Sequence, residues 1–224
     1  GAGGVTLNSD LSLPSTSSLT LTSGDFTIAA TRTLTFGLNN VLTVNSSRTL
    51  FVNGIFSRSG NSTVTVSGTI SINNGGKYQH AHTGGAIPIA TWNTGSICEI
   101  TGSVGSGPSS GLGQSFYHVY WNSAAQNGTL NLSGALTTVN GNLEIQNTNS
   151  NILRLSSGTL TLNVAGDLTI SGTNSTLQAS NSGGTATINV TGSFTIGSNA
   201  TFSTAGNAYS ANIGGNWLNS GTFT

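Results

Sequence analysis

Most of the side chains in this sequence that could carry chemistry lie in one stretch. Residues 75–127 hold all three histidines (His80, His82, His118), the lone Cys98, Glu99, two of three tryptophans and three of four tyrosines. His80 and His82 are two apart and so share one face of a strand, a spacing that can chelate a metal with His118, Glu99 and Cys98 as further ligands. Two ligands do not close a site, so the pair reads as polar aromatics bonded on a strand, and no metal or other cofactor is expected.

Glycosidic-bond chemistry needs paired carboxylates on one face. Asp10, Asp25, Glu99, Glu144 and Asp167 are scattered through the chain, and Asp25 and Asp167 each follow a glycine ahead of a strand, as turn residues do. No serine has the setting of a nucleophile elbow. The expectation is a protein without catalytic residues. Aromatic faces stack on sugar rings, so Tyr78, Trp92, Tyr117, Tyr120 and Trp121 form a candidate carbohydrate groove, against the alternative that they fill a core. Phe116, His118 and Tyr120 alternate with Tyr117, Val119 and Trp121, so one set must point inward.

The elements that position these groups are strands. Triplets such as Leu34-Thr35-Phe36, Leu42-Thr43-Val44, Leu160-Thr161-Leu162 and Leu168-Thr169-Ile170 repeat apolar, polar, apolar, the period-two signature. Gly, Asn, Ser and Asp separate them, and no helical apolar period is sustained. Above this short rhythm runs a longer one. Val139-Asn140-Gly141-Asn142-Leu143 recurs in similar form from Val164, from Val190 and from Ile213, at nearly even steps. A unit of this size cannot bury its apolar face alone, so copies must stack. The expected fold is an all-β, right-handed parallel β-helix (β-solenoid) over residues 1–224. It should have about eight or nine coils of roughly 23–26 residues with three short strands each, and residues 75–127 form an aromatic excursion or atypical coils. Asn163, Asn189 and Asn212 precede the recurring Val or Ile and are placed for an amide ladder.

Only 4% of residues are charged, and the formal net charge is zero. Basic clusters that would release counterions from nucleic acid are absent. Stacked coils would set like charges about 4.8 Å apart along every column, which explains the neutrality. One cysteine supplies no internal disulfide, and no apolar run spans a bilayer. The start, Gly1-Ala2-Gly3-Gly4 without Met, reads as a processed product or an excerpt.

The order Gly76-Lys77-Tyr78-Gln79-His80, Gly85-Ala86-Ile87-Pro88 to Thr91-Trp92, Cys98-Glu99-Ile100-Thr101-Gly102, Gly113-Gln114-Ser115-Phe116 and Trp121-Asn122 resembles a module of large repetitive surface proteins. Those proteins are exported by the type IX secretion system of Bacteroidetes-type bacteria. The resemblance covers about residues 66–170 and implies a secreted or surface-attached protein serving adhesion or fibre formation, with no catalytic residues. The C-terminal sorting domain such proteins carry is missing here.

The function expected is therefore a structural segment of an extracellular fibre or adhesin. Its partners would be neighbouring repeats or copies of itself end to end, with surface glycans as a second class, and neither nucleic acid nor membrane insertion. Carbohydrate binding through the aromatic segment is one alternative. Ice binding is the other, through Thr-x-Thr at Thr20/Thr22, Thr33/Thr35, Thr63/Thr65, Thr159/Thr161 and Thr185/Thr187. Only the last two pairs are one coil apart.

Overall fold

The computed structural model describes residues 3–181 and 183–224, so Gly1 and Ala2 of the expected processed start lie outside it. Strands of two to five residues alternate with turns, and the described residues contain no helix, hence none able to cross a membrane. Every strand pairing is parallel, and each joins a strand to the one a coil later. The chain is a parallel β-solenoid.

Three faces wrap the core. The first is unbroken: ten strands from Leu11–Ser12 to Trp217–Asn219 lie side by side, so nine turns separate the first from the last. The second face has five strands, from Val5–Leu7 to Thr91–Trp92, then four from Thr138–Val139 to Tyr209–Ile213. The third has three, from Ser18–Leu21 to Thr63–Val66, then five from Leu130–Asn131 to Thr222–Phe223. Where the second and third faces lapse, only the isolated bridges Phe116 to Val139 and Ala86 to Ser110 continue the ladder. Residues 75–127 occupy this interval, and they keep the first face intact with the strands Lys77–His80, Ile97–Ile100 and His118–Asn122.

Coil length varies more than the sequence repeat suggests. The coil that carries Lys77 to its partner Ile97 is much shorter than the one that carries Leu168 to Phe194. Short coils fill the N-terminal half and its junction, where the repeat was unreadable. Parallel strands keep their register only if the turns absorb these differences. Turn residues accordingly sit at positive φ, as Asn174 (58°) and Asn199 (60°) do at one corner. Gly54 has no room for a side chain, since a Cβ there would lie 2.2 Å from the Arg32 carbonyl oxygen.

Inside, register turns alternation into columns. Leu11, Leu34, Phe56, Tyr78, Cys98, Val119, Leu143, Leu168, Phe194 and Trp217 form one file along the first face. Burying such side chains is worth about 1.5–3 kcal/mol each. Outside, polar side chains bond along the axis. Asn212 Nδ2 donates to Asn189 Oδ1 and Asn189 Nδ2 to Asn163 Oδ1, both at 2.7 Å, which assembles the expected ladder. A second ladder went unread: Asn93 donates to Asn73 (2.9 Å) and Asn73 to Asn53 (2.7 Å). Its signal was an Asn directly after each of three strands, at a spacing shorter than the period detected. Three carboxylates serve the turns, because Asp10, Asp25 and Asp167 accept the backbone N–H of Thr33, Thr49 and Ser193 one coil on, at 2.9, 2.8 and 2.7 Å.

Asn189→Asp keeps the acceptor for Asn212 but loses the donor to Asn163. It is expected to lower stability by about 1 kcal/mol, whereas Leu168→Ala should cost about 2–5 kcal/mol by opening a cavity. Urea denaturation of both variants measures the difference.

Candidate functional site

The interval where two faces lapse concentrates polar chemistry on both sides of the first face. On the inner side, the file Phe36, Arg58, His80, Ile100, Trp121, Ile145 places an arginine and a histidine at core positions. Arg58 is 4% exposed and has no carboxylate partner among the described residues. Its guanidinium donates instead to Ser62 Oγ (2.9 Å), the Ser62 carbonyl, the Ala86 carbonyl (2.6 Å) and Tyr78 Oη (3.4 Å). It thereby ties the departing segment around Ala86 to the strand Ile55–Arg58, where the third face has no further strand to offer.

Hydrogen bonds then fix one protonation state. His80 Nε2 donates to the Gly84 carbonyl at 2.7 Å, so Nδ1 is the acceptor for the Tyr78 hydroxyl at 3.1 Å. Burial, then the charge of His82, then Arg58, lower the His80 pKa to about 4, partly opposed by the Gly84 bond. Burial, and next Arg58, also lower His82, whose ring centroid lies 4.2 Å from that of His80. Burial pushes the Tyr78 hydroxyl up, with Arg58 opposing. Cys98 is fully buried, and burial pushes its thiol up, away from the thiolate form.

On the outer side, one file reads Ser12, Thr35, Ser57, Gln79, Glu99, Tyr120, Glu144, Thr169, Thr195, Leu218. Lys77 Nζ meets Glu99 Oε2 at 2.9 Å, and Gln79 Nε2 donates to the same oxygen at 3.0 Å. Gln146 Nε2 donates to Glu144 Oε2 (3.1 Å), and Ser171 Oγ to Glu144 Oε1 (2.7 Å). Between the carboxylates, the Tyr120 ring stacks on His118 with centroids 5.9 Å apart, and the Tyr117 ring meets His118 edge-on at 4.6 Å. His118 Nδ1 accepts the Asn142 N–H at 3.0 Å, which places its proton on Nε2, and burial lowers its pKa.

The five aromatics expected in one groove are therefore divided. Tyr78 and Trp121 are 1% and 2% exposed; they fill the core because they occupy inward positions of the first face, and Trp121 Nε1 bonds Gln126 at 3.1 Å. Trp92 packs against the core from the second face, 4.8 Å from Phe116, with Nε1 bonded to Gln114 at 3.1 Å. Only Tyr117 and Tyr120 stay partly exposed on the outer side, with His118 between them. Phe116 is buried although His118 and Tyr120 are not, because a corner between residues 116 and 118 breaks the alternation. His80 and His82, the pair weighed as metal ligands, both turn inward, and both nitrogens of His80 are engaged.

The acids are less scattered than they read, since Glu99 and Glu144 fall in one file two rungs apart. The signal was two successive coils, Glu99 to Tyr120 and Tyr120 to Glu144, too unequal in length to read as a repeat. The Thr-x-Thr pairs fall on all three faces, and threonine-only files, such as Thr20, Thr43, Thr65, extend three rungs at most among the described residues. No protein-family model, curated protein or solved structure matches the chain at a significant level.

The inner cluster makes stability pH-dependent. Unfolded His80 titrates near 6.5 and folded His80 near 4, so the unfolded chain binds more protons between these values. Stability should hold above pH 6.5, fall by about 3 kcal/mol towards pH 4 and then level off with respect to this group. His82 and His118 act in the same direction. Denaturation midpoints across this range measure the fall, and His80→Gln is expected to remove most of it.

Proposed function

We propose that this chain is a structural segment of an extracellular surface fibre or adhesin, working as a rigid rod that positions whatever is attached to it. One observation carries the reading. Of the ten residues in the inner file from Leu11 to Trp217, the eight between these ends are 2% exposed or less, while Leu11 and Trp217 are 37% and 41% exposed. Core columns thus open to solvent at both end rungs, where Val5 (59%) and Phe223 (46%) are also uncovered. Unpaired strand edges over an apolar cross-section are templates for another strand of the same kind. A further coil would cover them, whether from continuing chain or from another copy.

The mechanical case rests on direction. On the first face the backbone hydrogen bonds run along the stacking axis from coil to coil without a break, and its inner column ties each coil to its neighbours over the full length. Neutral outer files avoid the like-charge repulsion that would push coils apart. Strands paired on both sides also give proteases little chain to bind. The resemblance of residues 66–170 to a module of type IX-exported surface proteins supports the extracellular setting.

The test is association of this chain through its ends. Light scattering and negative-stain microscopy over rising concentration should show rods that lengthen at constant width. Trp217→Lys with Phe223→Lys should hold the chain monomeric without lowering its melting temperature by more than a few degrees. A monomer at every soluble concentration, cut by protease within the solenoid as fast as in its turns, would overturn the reading.

A further inference from the structure

The outer side of the first face departs from its own rule for four rungs. Its central file carries Ser12, Thr35 and Ser57 before this interval and Thr169 and Thr195 after it. Those residues show what the position takes when only the sheet has to be satisfied. Between them stand Gln79, Glu99, Tyr120 and Glu144, flanked by Lys77, Tyr117, His118 and Gln146. Three of the ten charged residues in the whole chain are gathered here. The other acids, Asp10, Asp25 and Asp167, are consumed by turns, but neither Glu99 nor Glu144 bonds a backbone group. Both take part in bonds between coils, since Ser57 Oγ donates to Gln79, Gln79 Nε2 to Glu99 and Ser171 Oγ to Glu144, but Ser and Thr satisfy the same file elsewhere, so stacking does not itself require carboxylates there.

We propose that this strip, centred on Tyr120 between Glu99 and Glu144, binds an uncharged saccharide chain lying along the solenoid axis. The partly exposed rings of Tyr117, His118 and Tyr120 cluster at one rung, Tyr117 perpendicular to His118 and Tyr120 stacked on it, and offer aromatic surface to the C–H groups of a sugar. Carboxylates about 10 Å apart, one rung above and one below, accept hydrogen bonds from sugar hydroxyls on either side, Glu144 from a half-buried position and Glu99, 7% exposed, through Oε1. Both are already oriented: Glu99 by Lys77 and Gln79, Glu144 by Gln146 and Ser171. Glu99 Oε1 has no hydrogen-bond partner among the described residues, and His118, held with its proton on Nε2, offers a donor beside the platform. Charge decides the ligand class. Lys77 is taken up by Glu99, which leaves Glu144 as the unbalanced charge, so a polyanion would be repelled and a neutral polyol is accepted. This strip shares only Tyr117 and Tyr120 with the five-aromatic groove, and it stands or falls independently of the fibre reading.

Calorimetric titration and saturation-transfer NMR with cellohexaose, xylohexaose, mannohexaose and chitohexaose, with oligogalacturonate as the anionic control, test the proposal. At least one neutral hexasaccharide should bind and saturate the Tyr and His ring protons. Tyr120→Ala should weaken that binding by about tenfold or more, and Glu144→Gln by about three- to tenfold. Thr195→Ala, in the same file two rungs beyond Glu144, should leave it unchanged. Should Tyr120→Ala fail to fold, the isosteric Glu144→Gln decides. No binding of any neutral probe at millimolar concentration overturns the proposal, as does binding confined to oligogalacturonate or binding indifferent to both variants.

Discussion

Parallel stacking at about 4.8 Å is the constraint on which the rest of this molecule depends. It gives every side chain a registered neighbour one coil above and one below, so a residue is selected for how it tolerates its own column. Amides do this well, because each has a donor at one end and an acceptor at the other. The ladders Asn163–Asn189–Asn212 and Asn53–Asn73–Asn93 repeat that bond along the axis. Charges do it badly, which accounts for a chain only 4% charged. Where an acid does occur at a turn it is neutralised in effect by a backbone N–H from the next coil, as at Asp10, Asp25 and Asp167.

The middle of the solenoid shows what happens when the constraint is relaxed on two faces and kept on the third. The coils from Lys77 to Ile97 and from Ile97 to His118 are the shortest along the first face; the third face lapses in both and the second face after Thr91–Trp92, while the first continues. Backbone carbonyls that would have met a neighbouring strand need other donors. Arg58 supplies them from inside the core, bonding the carbonyls of Ser62 and Ala86. Tyr78 and His80 complete the network and leave His80 neutral, with its proton directed at Gly84. Arg58, with no carboxylate partner among the described residues, is sustained here by hydrogen bonds, and the same closeness makes further positive charge costly.

The same lapse isolates the first face as the one surface that runs the length of the rod. Its central outer file is bland at Ser12, Thr35 and Ser57 and again at Thr169 and Thr195, and chemically varied from Gln79 to Glu144, across the lapsed interval and the first coil beyond it. The proposed strip has a simple physical logic: regular repeats admit few side-chain types, and the interruption admits those that a repeat forbids.

Sequence alone determined the strand class, the solenoid, the coil length of the C-terminal half and the ladder at Asn163, Asn189 and Asn212. These follow from local alternation and from a period regular enough to detect. It also told the turn acids Asp25 and Asp167 from their neighbours, because a glycine and a strand flank each. Only the tertiary structure decided which phase of each alternation faces inward. Tyr78 and Trp121 went to the core and Tyr120 to the surface, although all three sit in polar and aromatic runs where either phase looks plausible. It alone also brought Glu99 and Glu144 into one file and Arg58 beneath the Ala86 segment. The reason is register: coils of unequal length stack with turns taking up the difference, and no fixed spacing in the sequence records which residues then become neighbours.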